Sequence, residues 1–586
     1  MRKLFALLAA LVASALLIPA ATSGRQQQST REYVVLYESG ASLAAARAAV
    51  ERIGGTIVKE NRKVGVATVR TSNDDFVSDA VAQRALFGAA SNRPVGTVGP
   101  MRQKKFSEER LDAERRASMR AGAQATTAAQ AQGGGEFETF APLQWDMQMI
   151  GATKHESHDV QPGRKGVLVG IIDTGIDGSH PDIAPNFDRG LSRNFTTDIP
   201  SVVGPCEDDP SRLCEIPIDG PCEEEPDGSC SDPADVDENG HGTHVAGTVA
   251  AAANGLGVAG VAPEVTLVNV RAGQDSGYFF LQPSVDALTY AADIGVDVVN
   301  MSYYIDPWLF NCRNNPADSP TAQAEQRTII AATQRALRYA HRNGVTLVAA
   351  AGNGHENFDR KNEIVDQTSP DFPPGTEYPR QITRGCLDLP TEGHKVISVT
   401  ALGPSTIKAD YSDYGRRHAA VSAPGGYFRD YLGTPRFQTP ENLVLSTYPE
   451  SVAREFGEID EDGNPTTPFV LKDCEDEAEP DTCAYYTYFQ GTSMASPHAA
   501  GVAALIVSEY GRGDRRKGGL TLSPNRTERL LYRSASEHAC PQPRLVSYED
   551  VGRGPEFDAF CAGGKARNGF YGHGIVDAYA AVLRSR

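Results

Sequence analysis

A chain of 586 residues is longer than one ordinary domain, so two or three parts, or one large core with appended segments, are expected. Its composition, 40% apolar and 22% charged, is that of a soluble globular protein, and beyond the first residues no apolar run is long enough to span a bilayer. The formal net charge of -19 argues against nucleic acid or an anionic membrane as the main partner, because binding phosphate requires a basic surface.

Met1, Arg2 and Lys3 precede an apolar run over 4–18 and small residues around 20–24. This is the three-part form of a secretory signal, read as residues 1–23 and removed between Ala20 and Arg25. A short membrane anchor is the alternative, but the run is brief and no basic stop-transfer cluster follows it. Residues 32–100 then read as strand (33–36), helix (43–53), two strands (56–58 and 64–69), helix (75–86) and a last strand at 95–98. That βαββαβ order predicts a small ferredoxin-like domain.

Residues 101–140 change from a charged stretch to Ala, Gln, Thr and three glycines, Gly133 to Gly135. Such a segment buries little apolar surface and reads as an exposed linker open to proteolysis. From 141 onward, apolar strand runs at 166–172, 265–270, 296–301, 345–351 and 395–400 alternate with helical patterns at 244–253, 284–294, 328–343 and 493–510. The alternation predicts an α/β fold with a mainly parallel central sheet covered on both faces.

Ten cysteines, an even number, fit an oxidising compartment and disulfides. Cys206, Cys214, Cys222 and Cys230 recur every eight residues among acidic side chains, which matches no tetrahedral zinc pattern and favours local pairing. The sequence neighbours Cys474 and Cys483, and Cys540 and Cys561, are expected pairs; spacing alone leaves the full connectivity open.

In open α/β sheets, sites form beyond the carboxyl ends of the strands. The polar residues there are Asp173 (Ile-Ile-Asp-Thr-Gly), His241 (Asn-Gly-His-Gly-Thr-His), Asn353 (Ala-Ala-Gly-Asn) and Ser493 (Gly-Thr-Ser-Met-Ala). Singly, each has a structural explanation as a cap or turn former. Together they have complementary chemistry: a hydroxyl nucleophile, an imidazole to take its proton, a carboxylate to orient that imidazole, and an amide to stabilise an oxyanion. A metal pair formed by His241 and His244 is the alternative, but no third ligand has a recognisable spacing.

The segments 169–177, 240–248 and 491–497 closely resemble the motifs of the subtilisin-like serine proteases, in that family's order Asp, His, Ser. The resemblance implies a three-layer fold over 141–586. It also implies a serine endopeptidase in which Asp173 orients His241, His241 is general base and then acid, Ser493 is the nucleophile, and Asn353 supplies the oxyanion amide. The domain at 32–100 looks like the family's propeptide, an intramolecular inhibitor and folding aid, with the maturation site in the linker. Protein or peptide substrates would lie along Ser302, Tyr303 and Tyr304 on one side and Ala350 and Gly352 on the other. Where relatives continue Ser-Leu-Gly, this chain has Ser302-Tyr303-Tyr304, so Tyr304 is expected to narrow the main specificity pocket or shift the strand.

The same resemblance implies a structural calcium ion held by the side chains of Asp182 and Asn254 and the carbonyls of Ala252, Leu256 and Val258. The glutamine ligand that relatives carry near their mature N-terminus is missing, and Ala141 falls near its place. The acidic Cys-rich insertion between Asp173 and His241 would favour basic substrates if it lies near the cleft. A secreted, extracellular monomer with no stable membrane association is expected.

Overall fold

The computed structural model describes residues 30–93, 138–206, 212–222, 229–476, 482–514 and 518–583. The expected signal segment, the strand expected at 95–98 and nearly all of the linker lie outside these residues.

The N-terminal unit contains β1 (Arg31–Tyr37), α1 (Leu43–Arg52), β2 (Thr56–Asn61), β3 (Val66–Thr71), α2 (Phe76–Val81) and β4 (Leu86–Arg93). Its antiparallel sheet runs β2-β3-β1-β4, which is the ferredoxin-like plan. In β1 successive side chains alternate between faces. Tyr33, Val35 and Tyr37 pack against α1 and α2, whereas Val34 and Leu36 join a cluster shared with the larger unit.

The larger unit is built from β5 (Leu168–Ile172), β6 (Arg193–Asn194), α3 (His241–Ala250), β7 (Thr266–Arg271), α4 (Leu281–Ile294), β8 (Val298–Met301), α5 (Pro320–Arg342), β9 (Thr346–Ala350), β10 (Val396–Leu402), β11 (Val421–Pro424), β12 (Val444–Tyr448), β13 (Val470–Cys474), β14 (Cys483–Phe489) and α6 (Thr492–Tyr510). Its seven-stranded sheet has the order β11-β10-β9-β8-β5-β7-β6, with every neighbouring pair parallel. Alternation puts Val169, Ile171, Val298 and Val348 on the face covered by α3 and α6. Ile172, Val299, Met301, Leu347 and Ala349 lie on the face covered by α4 and α5. Helix α6 is apolar on all sides and buried from Thr492 to Ser508, as befits a helix inside the core. A second, antiparallel sheet, β12-β14-β13, was not foreseen from the alternating pattern.

Two expected boundaries move. The helix expected over 75–86 ends at Val81, and among the described residues the last strand of the small unit is β4. Residues 86–93 are strand because that segment pairs with β1 and lies flat on α5. A Cβ at Gly88 would come within 2.5 Å of Thr328 Oγ1, and the N–H and hydroxyl of Ser91 donate to Glu325 Oε1 at 3.0 and 2.5 Å. Helix α5 starts eight residues before the apolar pattern does, capped by Ser319 Oγ, which accepts from Ala322 N at 3.1 Å, with Pro320 in the first turn.

Five disulfides are formed: Cys206–Cys214, Cys222–Cys230, Cys312–Cys386, Cys474–Cys483 and Cys540–Cys561. The four evenly spaced cysteines pair locally, each with its sequence neighbour. Among the described residues, no helix is long and apolar enough to cross a membrane.

Candidate active site

The parallel sheet delivers Asp173, Ser302 and Asn353 just past the ends of β5, β8 and β9, while His241 and Ser493 open α3 and α6. His241 approaches Asp173 because α3 begins on two glycines. Gly240 has φ 87°, and at Gly242 a Cβ would lie 2.1 Å from the carbonyl oxygen of Gly175. His241 Nδ1 and Asp173 Oδ1 are then 2.7 Å apart, both buried. Burial pushes the Asp173 carboxyl up from its ordinary value, while the neighbouring His241 pulls the other way.

A residue not singled out from the sequence holds this pair in place. Asp237, buried between the two loops, accepts from Thr174 Oγ1 (3.0 Å) and Gly240 N (3.0 Å) through Oδ1, and from Thr243 N (2.9 Å) and Thr243 Oγ1 (2.7 Å) through Oδ2. The signal was an aspartate four residues before the histidine, of the kind that caps loop backbone.

Ser493 lies in the first turn of α6, where the helix end favours developing negative charge. Its Oγ is 3.5 Å from Ser302 O, and Ser302 Oγ donates to Ser493 O at 3.0 Å. The Asn353 amide oxygen accepts from Thr492 N (2.9 Å) and Thr492 Oγ1 (2.8 Å), and Gly352 N donates to Thr492 Oγ1 (3.1 Å). This fixes which end of the Asn353 amide presents its N–H groups to the site. Asp173 and His241 thus form one bonded pair, and Asn353, Thr492, Ser493 and Ser302 a second bonded group at the same end of the parallel sheet, with Thr492 as a second supporting residue that sequence reasoning missed.

The other histidines of α3 and α6, His244 and His498, are bonded within the core. His244 is buried, its Nε2 bonded to the carbonyls of Val444 (3.1 Å) and Thr487 (3.2 Å), and burial lowers its pKa to about 3. The Nε2 of His244 is thereby committed to the backbone of β12 and β14. His498 spans Met494 O (2.7 Å) and Asp146 Oδ2 (2.9 Å) inside the core.

Flanking Ser493, Tyr303 stacks on Phe279 with ring centroids 4.2 Å apart, and Tyr304 donates its hydroxyl to Asp371 Oδ2 at 2.6 Å. The bulk of Tyr304 is thereby anchored to the loop that carries Asp371.

Asp182 is buried, and burial pushes its carboxyl up to about 7. It accepts from Asn254 Nδ2 (3.1 Å), Val258 N (3.2 Å) and Tyr486 OH (2.8 Å). Ala141 brings no oxygen side chain here, but Glu138, three residues earlier, accepts from Gly255 N at 3.3 Å and its charge acts on Asp182. A second acidic group, Asp198, Asp232 and Asp275, has its carboxylates within 4.8 Å of one another in the interior and could hold a metal. Arg271 lies among them, 2.8 Å from Asp275 and 3.5 Å from Asp198.

The fold and site define a class: a parallel α/β protein with serine, histidine, aspartate and asparagine converging at strand and helix ends. The family model described as the subtilase family, Peptidase S8, matches residues 164–574, and the chain belongs to that family. It is 28% identical over 354 residues to subtilisin DY of Bacillus licheniformis, covering 59% of this chain and 80% of the relative. Thermitase of Thermoactinomyces vulgaris is 25% identical over 371 residues, covering 63% of this chain and 84% of its own. Among solved structures, the epidermin leader peptide processing serine protease of Staphylococcus aureus superposes with a TM-score of 0.57 at 20% identity. That match covers 95% of this chain and 99% of the other and reflects a shared fold. The protein is a subtilisin-like serine protease acting on protein substrates.

Proposed function

We propose that the protein is a secreted endopeptidase, made as a self-processed zymogen, that cleaves peptide bonds through an acyl-enzyme on Ser493. The observation that carries the reading is the buried 2.7 Å contact between His241 and Asp173 at the end of the parallel sheet where Asn353 holds the start of α6. His241 takes the Ser493 proton as the hydroxyl attacks the substrate carbonyl, and Asp173 fixes the imidazole tautomer and stabilises its charged form. The oxyanion is held by the Asn353 amide and the first-turn N–H of Ser493. His241 then returns the proton to the leaving amine, and water repeats the sequence to release the acid. Substrate would extend along Ser302, Tyr303 and Tyr304 and along Ala350 and Gly352, adding a strand between them.

Five disulfides support secretion. The ferredoxin-like unit, packed on α4 and α5, supports a propeptide role for 32–100, with maturation in 101–140 and the peptidase beginning near 141. Replacing Ser493 by Ala in the full chain is expected to lower kcat by about 10⁶-fold, the scale known for the nucleophile of subtilisin, and to leave the N-terminal unit attached by intact mass. Unaltered cleavage of an unstructured protein by that variant would refute the reading.

We also assign a calcium ion to Asp182, Asn254 and the carbonyls of Ala252, Leu256 and Val258, with Glu138 in the position left by Ala141. Hard oxygen donors and two acidic side chains, brought together from separate segments at the 252–258 loop, suit Ca²⁺, which when bound would neutralise their charge and pin that loop. Chelation is expected to lower the thermal midpoint of the Ser493→Ala protein, and Asp182→Asn to abolish that response. An unchanged midpoint on chelation, with no calcium in the purified protein, would argue against it.

A further inference from the structure

The two segments that flank Ser493 are strapped together by a short turn after the Cys312–Cys386 disulfide. Leu389 O accepts from Ile305 N at 2.8 Å, next to Tyr304, and Thr391 Oγ1 donates to Ala350 O at 2.7 Å. Immediately before the first of these ties stands Asp388, only 3% exposed. Its Oδ1 is buried without a hydrogen bond, and among the described residues its carboxylate makes no ion pair closer than 4 Å. The cation whose field reaches it, Lys361, is committed elsewhere, donating to Cys386 O at 2.8 Å and pairing closely with Glu392.

Two more carboxylates border the same segment. Asp413, 4% exposed, accepts from Glu356 N at 2.6 Å through Oδ1, while its Oδ2 lies against the backbone of Gly352. A Cβ at Gly352, which has φ 112°, would sit 2.2 Å from that oxygen, so only glycine admits the carboxylate here. Glu356 is half-buried three residues after Asn353. Burial raises all three carboxyls from their ordinary values, Glu356 to about 7; the charge of Glu392 adds to the rise at Asp388, and that of Asp388 to the rise at Asp413. An unpaired carboxylate in the interior is costly, and a fold retains one where function calls for it.

We propose that Asp388 selects substrates with an arginine or lysine immediately N-terminal to the scissile bond, pairing with that side chain between the Ser302–Tyr304 and Ala350–Asn353 segments. The inference rests on the protease reading above. A long, slender cation passing Gly352, which carries no side chain, supplies the charge that Asp388 lacks, with Asp413 and Glu356 adding to the field. The preference thus comes from carboxylates beside the nucleophile and needs no contribution from the acidic Cys-rich insertion.

The test uses self-processed wild type and Asp388→Asn with fluorogenic peptides that differ only at this residue: Arg, Lys, Leu, Phe and Glu. Wild type is expected to favour Arg and Lys over Leu by about 100-fold in kcat/KM. Asp388→Asn should cut the Arg-to-Leu ratio by about 100-fold, chiefly through KM, the scale for losing one partner of a buried charge pair. Its thermal midpoint should be unchanged or raised, which a structural role for Asp388 would not give. A wild-type profile led by Leu or Phe overturns the inference while leaving the protease reading intact, and needs no variant to fold. An Arg-to-Leu ratio that survives Asp388→Asn, or that vanishes only when calcium is chelated, also overturns it. If wild type cleaves no peptide and matches Ser493→Ala, the protease reading fails and this inference with it.

Discussion

Asn353 can stabilise an oxyanion only if its amide is held in one orientation, and Thr492 does that with two hydrogen bonds to the amide oxygen. Thr492→Val keeps the shape and the backbone bond but removes the hydroxyl, which also takes the Gly352 N–H. We expect kcat to fall by about 10- to 100-fold with KM little changed, and Thr492→Ser to recover most of the loss. Equal losses in both variants, or a change confined to KM, would count against this positioning role. Asp173, His241, Asn353 and Ser493 were legible in the sequence because each stands in a short motif at a strand or helix end. Thr492, Asp237 and Asp388 were not. Their importance lies in what they touch across the fold, and Asp388 is marked only by what it fails to touch.

Among the elements, strands flanked by glycines and apolar on both faces were easy to read, and β5, β7, β8, β9 and β10 lie within a few residues of their expected positions. The misread element is β4, whose Gly-Ala-Ala composition carries no strand signal and whose conformation is imposed by β1 and α5. The start of α5 escaped because residues 320–327 carry no run of large apolar side chains: Gln326 is buried through bonds to Cys312 N and Asp318, and Glu325 meets Ser91. Neutral buried histidines are a further property of the elements. His418 Nε2 donates to Ala351 O (2.7 Å) behind the Ala350–Asn353 segment, its ring stacks on Phe358, and burial lowers its pKa to about 3. Since the folded value lies below the unfolded one near 6.5, the unfolded chain binds more protons between them. Stability from this group is therefore complete above pH 6.5 and lost as pH falls toward 3, by at most about 1.4 kcal/mol per unit. In a Ser493→Ala background, His418→Gln should flatten the fall of the unfolding midpoint between pH 6.5 and 4. A parallel fall in both proteins would exclude His418 as a source of acid lability.

At the scale of the whole molecule, the ferredoxin-like unit and the peptidase share one apolar cluster, in which Val34, Leu36, Val66 and Ala90 meet Ile329 and Ile330 of α5. Polar ties frame it. Asn61 donates to Asp286 and Thr289 at 2.8 and 2.7 Å, Lys59 pairs with Asp286 at 2.7 Å, and Ser91 binds Glu325. Arg335 makes the most of its position: one guanidinium nitrogen donates to both Tyr37 O and Val64 O at 3.0 Å, and the other reaches Ser39 Oγ at 3.2 Å. The first two are bonds from a charged donor to backbone carbonyls, worth roughly 1.5–3 kcal/mol each. If the N-terminal unit stays bound after self-cleavage and blocks the site, its release sets the delay before activity appears. Arg335→Ala should therefore loosen the cleaved complex by about 10- to 100-fold and shorten that delay, without altering the final rate once the unit is gone. Following peptide hydrolysis and the fate of the N-terminal fragment together after processing decides the matter. A shortened delay with earlier loss of the fragment supports inhibition by docking on α4 and α5. An unchanged delay would place the inhibitory contacts elsewhere in the chain.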